Sequence, residues 1–469
     1  MIKTVGIILA FFVFAFSGEY SLKELVDSAY KHSHLLAVAD MTREKSIEAI
    51  DEAKRNMLPK ITFSGDYSFA ITPYNSMANI TEWKEISLPG VYNDFTMDEL
   101  FMFPRNALSG RIDLQQTLFA QNKLRRNVEY ALIQARGMIC NWQDVRMKVK
   151  ADMTKKYYSA LIARQRILIE EQSRNISKSR HNQTLSLFES RLLSEIDTLN
   201  SFIDFSQASV RLSEVKRGER EIYRSIAVAA GLKEPADSIF LTDTLLPAAT
   251  KFDYDLLLEH FLSENKDLRI SATEVDLAEV RVKIAKGDYY PVIYGGLALN
   301  RIAQFDKLQK SADFDFAPER KLYLGMTYDI TPFGQRQIRV KQSEYDLNIA
   351  KRNFENRKEQ LILLLKSNYE TIDEEITKIN ESEKMLKASQ KALLLAQNRY
   401  ESGLLSQTDM ETAEQRFRNS GLVYLSAVFR YNSLLIDLRI MGADYLYESD
   451  ENIENERFDG FNNYYLRND

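Results

Sequence analysis

Two periods alternate along the chain. Between Leu108 and Leu118 the apolar residues take mainly even positions, while Ser, Arg, Asp, Gln and Thr take the odd ones. Leu322, Leu324, Met326, Tyr328 and Ile330 do the same against Lys, Tyr, Gly, Thr and Asp over 321–331. Ile61, Phe63, Tyr67, Phe69 and Ile71 form a third alternation, and 292–302 a fourth, less regular. A period of two predicts β-strands with one apolar face each. Elsewhere apolar residues recur every seven: Ile133, Cys140, Met147, Leu161 and Leu168, with Thr154 as the polar exception. Leu347, Phe354 and Leu361 keep the same step. After a four-residue shift, Leu365, Ile372, Ile379, Leu386, Leu393 and Tyr400 resume it. That spacing, with Lys, Arg and Glu between, predicts coiled-coil helices, and the shift is a stutter.

Proline and glycine set the lengths. No proline falls between Pro104 and Pro235 or after Pro332. A helix over 120–188 would be roughly 100 Å long. The long helices are expected to end at Arg191-Leu192-Leu193-Ser194 and Gly403-Leu404-Leu405-Ser406, with an amphipathic helix running back from each. Gly403 suits a left-handed C-terminal cap, and the serines suit the start of the return helices. At the N-terminus, Lys3 precedes an apolar run over 5–16 that ends near the small residues Ala15 and Ser17. Twelve apolar residues are too short to span a bilayer but fit a signal peptide over 1–17. No other run reaches 18 apolar residues, so any membrane insertion has to use strands.

The pattern is written twice. Asn56 to Ile61 has its counterpart in Asp288 to Ile293, Thr117-Leu118-Phe119 in Thr331-Pro332-Phe333, and Leu192-Leu193-Ser194 in Leu404-Leu405-Ser406. Asp197 answers Asp409, and Gly231 answers Gly442. Ordered landmarks at nearly constant offset predict a two-fold internal repeat. The division is 18–234, a linker over 235–250, a second repeat over 251–442 and an acidic tail over 443–469. A longer loop is expected in the first repeat between about Ile71 and Leu108.

Composition narrows the function classes. The 469 residues carry 62 Lys and Arg against 67 Asp and Glu, a net charge of −5, which argues against nucleic acid as a partner. One cysteine, Cys140, forbids an internal disulfide. Of the four histidines, His32 and His34 are two apart on a predicted helix and point different ways. No phosphate loop, nucleophile elbow or His-Glu-x-x-His stands in the sequence, so no enzyme, metal or cofactor is expected. Four strands of about eleven residues match the length that crosses an outer membrane when tilted. They cannot close a barrel alone, and an open edge is forbidden in lipid, so several chains have to pool strands. The competing reading is an exported coiled-coil scaffold whose strands form a soluble sheet.

Signal peptide, repeat, Pro59 and Pro291 opening strands, heptad helices and paired Leu-Leu-Ser tips together resemble the TolC-like outer-membrane efflux proteins, over about Tyr20 to Gly442. The resemblance implies an α+β membrane protein. A transmembrane β-barrel built from four strands per chain continues into a periplasmic barrel of long antiparallel coiled-coil helices. It implies a homotrimer in outer-membrane lipid, docking with a periplasmic adaptor and an inner-membrane transporter. Such a protein is a passive exit duct for small molecules or secreted proteins, in a tripartite efflux or type I secretion system.

The resemblance also assigns a gate near the tips. Tyr400 matches the tyrosine and Asp197 the aspartate of one polar link, whereas Ile196 and Leu405 replace the second link. Asp409 matches an aspartate ring narrowing the lumen; Thr412 replaces the next ring, with Glu411 beside it. Closure is then expected to rest on Tyr400–Asp197 and on apolar packing of Ile196 and Leu405. The tips Arg191 to Ser194 and Gly403 to Ser406 are expected to meet the adaptor. Asp197 and Asp409 equally suit caps of the return helices.

Overall fold

The computed structural model of the protein describes residues 18–69, 106–233, 239–242, 253–305, 317–330 and 333–441. The signal segment, the long first-repeat loop, most of the linker and the acidic tail lie outside them. The elements, in chain order, are β1 (Gly18–Tyr20), α1 (Leu22–His32), α2 (His34–Arg55), β2 (Lys60–Phe69), β3 (Asn106–Phe119), α3 (Lys123–Glu189) and α4 (Glu195–Ala230). They continue with β4 (Ile239–Leu241), α5 (Tyr254–Glu264), α6 (Lys266–Gly287), β5 (Val292–Phe305), β6 (Ala317–Thr327), α7 (Gln335–Glu401) and α8 (Gln407–Ile440). Helix pair, strand pair, 67-residue helix and return helix thus occur in one order over 22–230 and again over 254–440. No described helix is long and apolar enough to cross a membrane.

The described chain divides into two compact units. The helical unit takes Met1–Glu44, Arg136–Thr273 and Lys351–Asp469; the sheet unit takes Lys45–Ala135 and Glu274–Ala350. In the helical unit, one core gathers Leu25 and Ala29 of α1, Met153, Tyr157 and Leu161 of α3, Tyr223 and Ile226 of α4, and Ile239 and Leu241 of β4. A second core gathers Leu257 and Phe261 of α5, Leu361, Leu365, Ile372 and Ile379 of α7, and Tyr431, Leu435 and Leu438 of α8. Five members of the α7 stripe, Leu361, Leu365, Ile372, Ile379 and Leu393, are therefore buried as its spacing predicts, across the stutter, and Leu347, Phe354, Leu386 and Tyr400 are half-buried. Burying each such side chain contributes about 1.5–3 kcal/mol. Helix α1 starts at a capping box, in which the backbone N–H of Ser21 donates to Glu24 Oε2 at 2.9 Å and Glu24 N–H donates to Ser21 Oγ at 3.3 Å.

The sheet unit holds four antiparallel strands in the order β2-β3-β5-β6. Consecutive strands run in opposite directions, so β2 and β6, the two edges, are themselves opposed. A β-bulge between Thr117 and Phe119 breaks the β3–β5 register at the helix end.

Four expectations are corrected. Leu168 is exposed at 54%. The buried seam of α3 runs instead through Ile167, Glu170, Ser173, Ser177, Arg180 and Thr184, keeping the alternating three- and four-residue steps but in polar residues that an apolar count passes over. Strand β6 spans Ala317–Thr327 rather than 321–331, so Tyr328 and Ile330 fall beyond the ladder although they continue its alternation. Phe119 ends β3 while Phe333 sits in the turn before α7, so these landmarks do not superpose. The left-handed pairs Gln121-Asn122 and Phe333-Gly334 correspond instead, each directly before its long helix. Finally, β4 lies where only a linker was expected and pairs in parallel with β1; three residues are too few to show a period.

Candidate functional site

The register sorts the sheet into two unlike faces. One carries Ile61, Phe63, Tyr67 and Phe69 of β2, Ile112 and Leu114 of β3, Leu297 and Leu299 of β5, and Leu322, Leu324 and Met326 of β6. All are exposed; Phe63 reaches 78% and Leu322 86%. Soluble proteins rarely leave so continuous an apolar surface bare. Toward the loop end it gives way to Arg301 and Arg320. The helix end carries exposed aromatics: Phe119, Tyr289, Tyr290, Tyr328 and Phe333.

The opposite face is polar and interlocked. Tyr323 lies across Gly296, where a Cβ would come within 2.5 Å of its hydroxyl, and Tyr294 lies across Gly325. Only glycine lets the rings lie this flat. So placed, the Tyr323 hydroxyl donates to Asp113 Oδ1 at 2.6 Å, and Arg111 Nε donates to Asp113 Oδ2 at 3.0 Å. The buried Asp113 carboxylate thereby gains partners from two strands, and β3 is pinned to β6 across β5. The sheet thus has one apolar face and one polar face.

In the helical unit the two helix tips share one geometry. Arg191 and Gly403 both hold left-handed backbone, φ 59° and 70°. Leu192 N–H donates to the Leu187 carbonyl and Leu404 N–H to the Arg399 carbonyl, each at 2.8–2.9 Å. Arg191 N–H and Gly403 N–H reach Phe188 and Tyr400 one residue further on. These bonds are Schellman caps. Leu192 and Leu404 stand 72% and 78% exposed, whereas Leu193 and Leu405 turn partly inward. Ser194 and Ser406 open the return helices, as the pattern predicts.

The aspartates act on those serines. Ser194 donates to Asp197 Oδ2 through its backbone N–H at 3.0 Å and its hydroxyl at 2.7 Å, which holds the carboxyl below its ordinary value. The Ser406 hydroxyl donates to Asp409 Oδ2 at 2.7 Å and accepts from the Asp409 N–H at 3.2 Å. Glu411 accepts from Gln415 at 2.8 Å. Among the described residues no hydrogen bond joins Tyr400 to Asp197. Tyr400 packs with Leu405 against Leu393, Met410 and Phe417, and Ile196 is exposed.

One constellation escaped the sequence reading. Ser173 and Ser177 of α3 both donate to Glu414 Oε1 of α8, at 2.8 and 2.9 Å. Arg180 reaches Glu414 at 3.4 Å and Asp204 of α4 at 2.9 Å. Glu170 lies 3.8 Å from Arg211 and 3.7 Å from Arg418. Arg180, Glu170 and Glu414 are each less than a twentieth exposed. The signal was present as seam positions filled by Glu, Ser, Ser, Arg and Thr at steps of three and four. Among the described residues no group of His, Cys, Asp and Glu is placed to hold a metal ion.

Comparison with known proteins agrees with this geometry. Residues 257–427 match the family model of outer membrane efflux proteins. The fold is shared with the Campylobacter jejuni CmeC outer membrane channel, at TM-score 0.75 and 14% identity, over 94% of this chain and 89% of that one. It is shared with the outer membrane protein VceC of Vibrio cholerae, at 0.70 and 14%, over 90% and 96%. The open state of the Neisseria gonorrhoeae MtrE outer membrane channel matches at 0.65 and 16%, over 90% and 88%. At such identities the likeness is one of fold. No curated protein matches the sequence.

Proposed function

We propose, from the match of residues 257–427 to the outer membrane efflux protein family, that the chain is an outer-membrane protein and the passive exit duct of a tripartite efflux or type I secretion system. The observation that carries this reading is the four-stranded sheet with an exposed apolar face and two open edges. Open edges are not tolerated in lipid. Because β2 and β6 run in opposite directions, β6 of one copy continues the antiparallel ladder with β2 of the next. Three copies close twelve strands around the polar face, and the two-fold repeat gives each copy its two hairpins and two helical hairpins. An exported scaffold would leave the apolar face without an occupant.

The helical unit then forms the periplasmic conduit. The exposed leucines of the tips, Leu192 and Leu404, offer apolar purchase to the hairpins of a periplasmic adaptor, which couples the duct to an inner-membrane transporter. Asp409 and Glu411 line the narrow end and favour cations. The gate rests on Tyr400, seated beside Leu405, reaching the Asp197 oxygen that Ser194 leaves open, with Ile196 packing against a neighbouring copy. Small molecules or proteins pass according to the transporter.

Membrane fractionation and the mass of the detergent-extracted protein test the duct. An outer-membrane trimer supports it; a detergent-independent soluble monomer or dimer leaves the scaffold reading. Tyr400→Phe is expected to raise resting conductance and susceptibility to large antibiotics. Wild-type behaviour would remove Tyr400 from the gate.

A further inference from the structure

The helix end of the sheet carries a strong charge bias. Over 50–60, 120–130, 281–291 and 328–341, the four stretches that flank the strands there, twelve Lys and Arg stand against five Asp and Glu. Two of the acids are already shared: Asp288 is reached by Lys123 at 2.7 Å and Arg339 at 3.5 Å, and Glu129 by Arg126 at 2.6 Å and Lys283 at 3.9 Å. Glu344, just beyond these stretches, meets Lys286 at 3.0 Å, and the cations still outnumber these acids by twelve to six. Arg55, Lys60 and Lys341 are exposed and form no ion pair among the described residues.

This girdle adjoins the exposed aromatics and the apolar face without a break. Arg336 sits 4.3 Å from the centroid of the Tyr328 ring, so guanidinium and aromatic share one level. Aromatics at the edge of an apolar band mark the headgroup level of a bilayer. Cations at that level meet lipid phosphates rather than bulk water.

We propose that this basic girdle binds the headgroups of anionic phospholipid in the leaflet on the helix side of the sheet, drawing such lipid around the duct. The proposal rests on the reading of the sheet as a transmembrane barrel. It gives Arg55, Lys60 and Lys341 of each chain a partner, and it fixes how deep the sheet sits. Each Lys or Arg at an anionic surface is worth about fivefold in lipid affinity.

The test places the full-length protein in nanodiscs of phosphatidylcholine with a minor fraction of phosphatidylglycerol. Native mass spectrometry then counts phosphatidylglycerol held by the protein. The wild type is expected to enrich it, with enrichment fading at high salt as the Debye length shrinks. The triple variant Arg55→Gln, Lys60→Gln, Lys341→Gln is expected to lose the preference, while Lys384→Gln, Lys387→Gln, Lys391→Gln on the exposed side of α7 keeps it. Should the triple variant not fold, salt-independent enrichment in the wild type still overturns the girdle. Insertion without any enrichment overturns it too and leaves the duct standing. A wild type that does not enter the bilayer at all removes the barrel, and the girdle with it.

Discussion

The two helical hairpins of the helical unit have equal long helices and matching tips, yet one is held by a mainly apolar seam and the other by a mainly polar one. Toward its tip α7 buries Ile372, Ile379 and Leu393, with Glu375 and Ser382 as the polar exceptions. Glu375 is met by Lys378 and by Arg430 of α8 at 2.8 and 3.3 Å, and Leu393 meets Met410 and Phe417 of α8. Over its corresponding last turns α3 buries Glu170, Ser173, Ser177, Arg180 and Thr184. An apolar seam is non-directional: any close packing of the right volume satisfies it. A seam of buried charges tolerates one register, because a displaced carboxylate or guanidinium loses its partner in a dry interior. Glu414 reaches α3 from α8, so the first hairpin is keyed to the second through polar contacts. We read the polar seam as the part of the bundle that selects one helix alignment, and the apolar seam as the part that supplies bulk stability.

The largest effect comes from breaking the key. Glu414→Ala strands Arg180, which is 3% exposed, with only Asp204 in reach. The expected loss is about 3–5 kcal/mol, read as a lower denaturation midpoint of the detergent-solubilised protein. Replacing Arg180 and Glu414 together by methionine is expected to recover most of it, since an apolar pair of similar volume avoids the unpaired charge. A double variant as unstable as Glu414→Ala would show that the charges themselves hold the seam. Leu393→Ala makes the matching hole in the other hairpin and is expected to cost about 2–5 kcal/mol. Its loss is a cavity, which a larger neighbour refills, whereas the loss at Glu414 is an unpaired charge, which is relieved by replacing Arg180 as well.

That contrast also explains what was legible in the sequence. The α7 seam announced itself because Leu361, Leu365, Ile372, Ile379 and Leu393 are apolar and periodic, and all five are buried. The α3 seam broke the same rule and disappeared into the apparent solvent face. The strands were legible because their two faces differ in kind, residue by residue; the edge of β6 was not, since alternation runs past Thr327 where hydrogen bonding stops. Tyr294 and Tyr323 looked like imperfect alternation. Their role emerges only with Gly325 and Gly296 set opposite them on the partner strand. The gate positions Tyr400 and Asp197 came from resemblance, and local chemistry alone shows Asp197 as a cap. Long-range pairings such as Ser173 with Glu414, 241 residues apart, have no local trace.

A smaller effect separates the tips. Both caps need left-handed backbone, but one uses Gly403 and the other Arg191. A side chain with a Cβ is strained there, at a cost of roughly 1–2 kcal/mol, less the flexibility that glycine brings to the unfolded chain. Arg191→Gly is therefore expected to stabilise by about 0.5–1 kcal/mol, and Gly403→Arg to destabilise by a similar amount. Unfolding midpoints of the two single variants check both signs. If Arg191→Gly instead lowers adaptor binding while stabilising the fold, the arginine is retained at that tip for contact rather than for the turn.

The smallest expected difference is in acid sensitivity. Hydrogen bonds from the Ser194 hydroxyl, and then from its backbone N–H, depress the Asp197 carboxyl below its ordinary value of 3.8. A carboxyl depressed in the folded state stabilises fully above its unfolded value and loses that contribution as pH falls through the lower folded value. The first tip should thus hold unchanged down to about pH 4 and weaken below it. Asp197→Asn keeps an acceptor oxygen but has no charge to lose. Its denaturation midpoint is expected to lie slightly below wild type at neutral pH and to converge with it in acid. The group is solvent-exposed, so the gap is small and shrinks with salt. Parallel midpoints across the whole range would mean that the bond from Ser194 stabilises by geometry alone. Convergence on acidification would identify the charge on Asp197 as part of what holds the start of α4 in place, whether or not Tyr400 also reaches it.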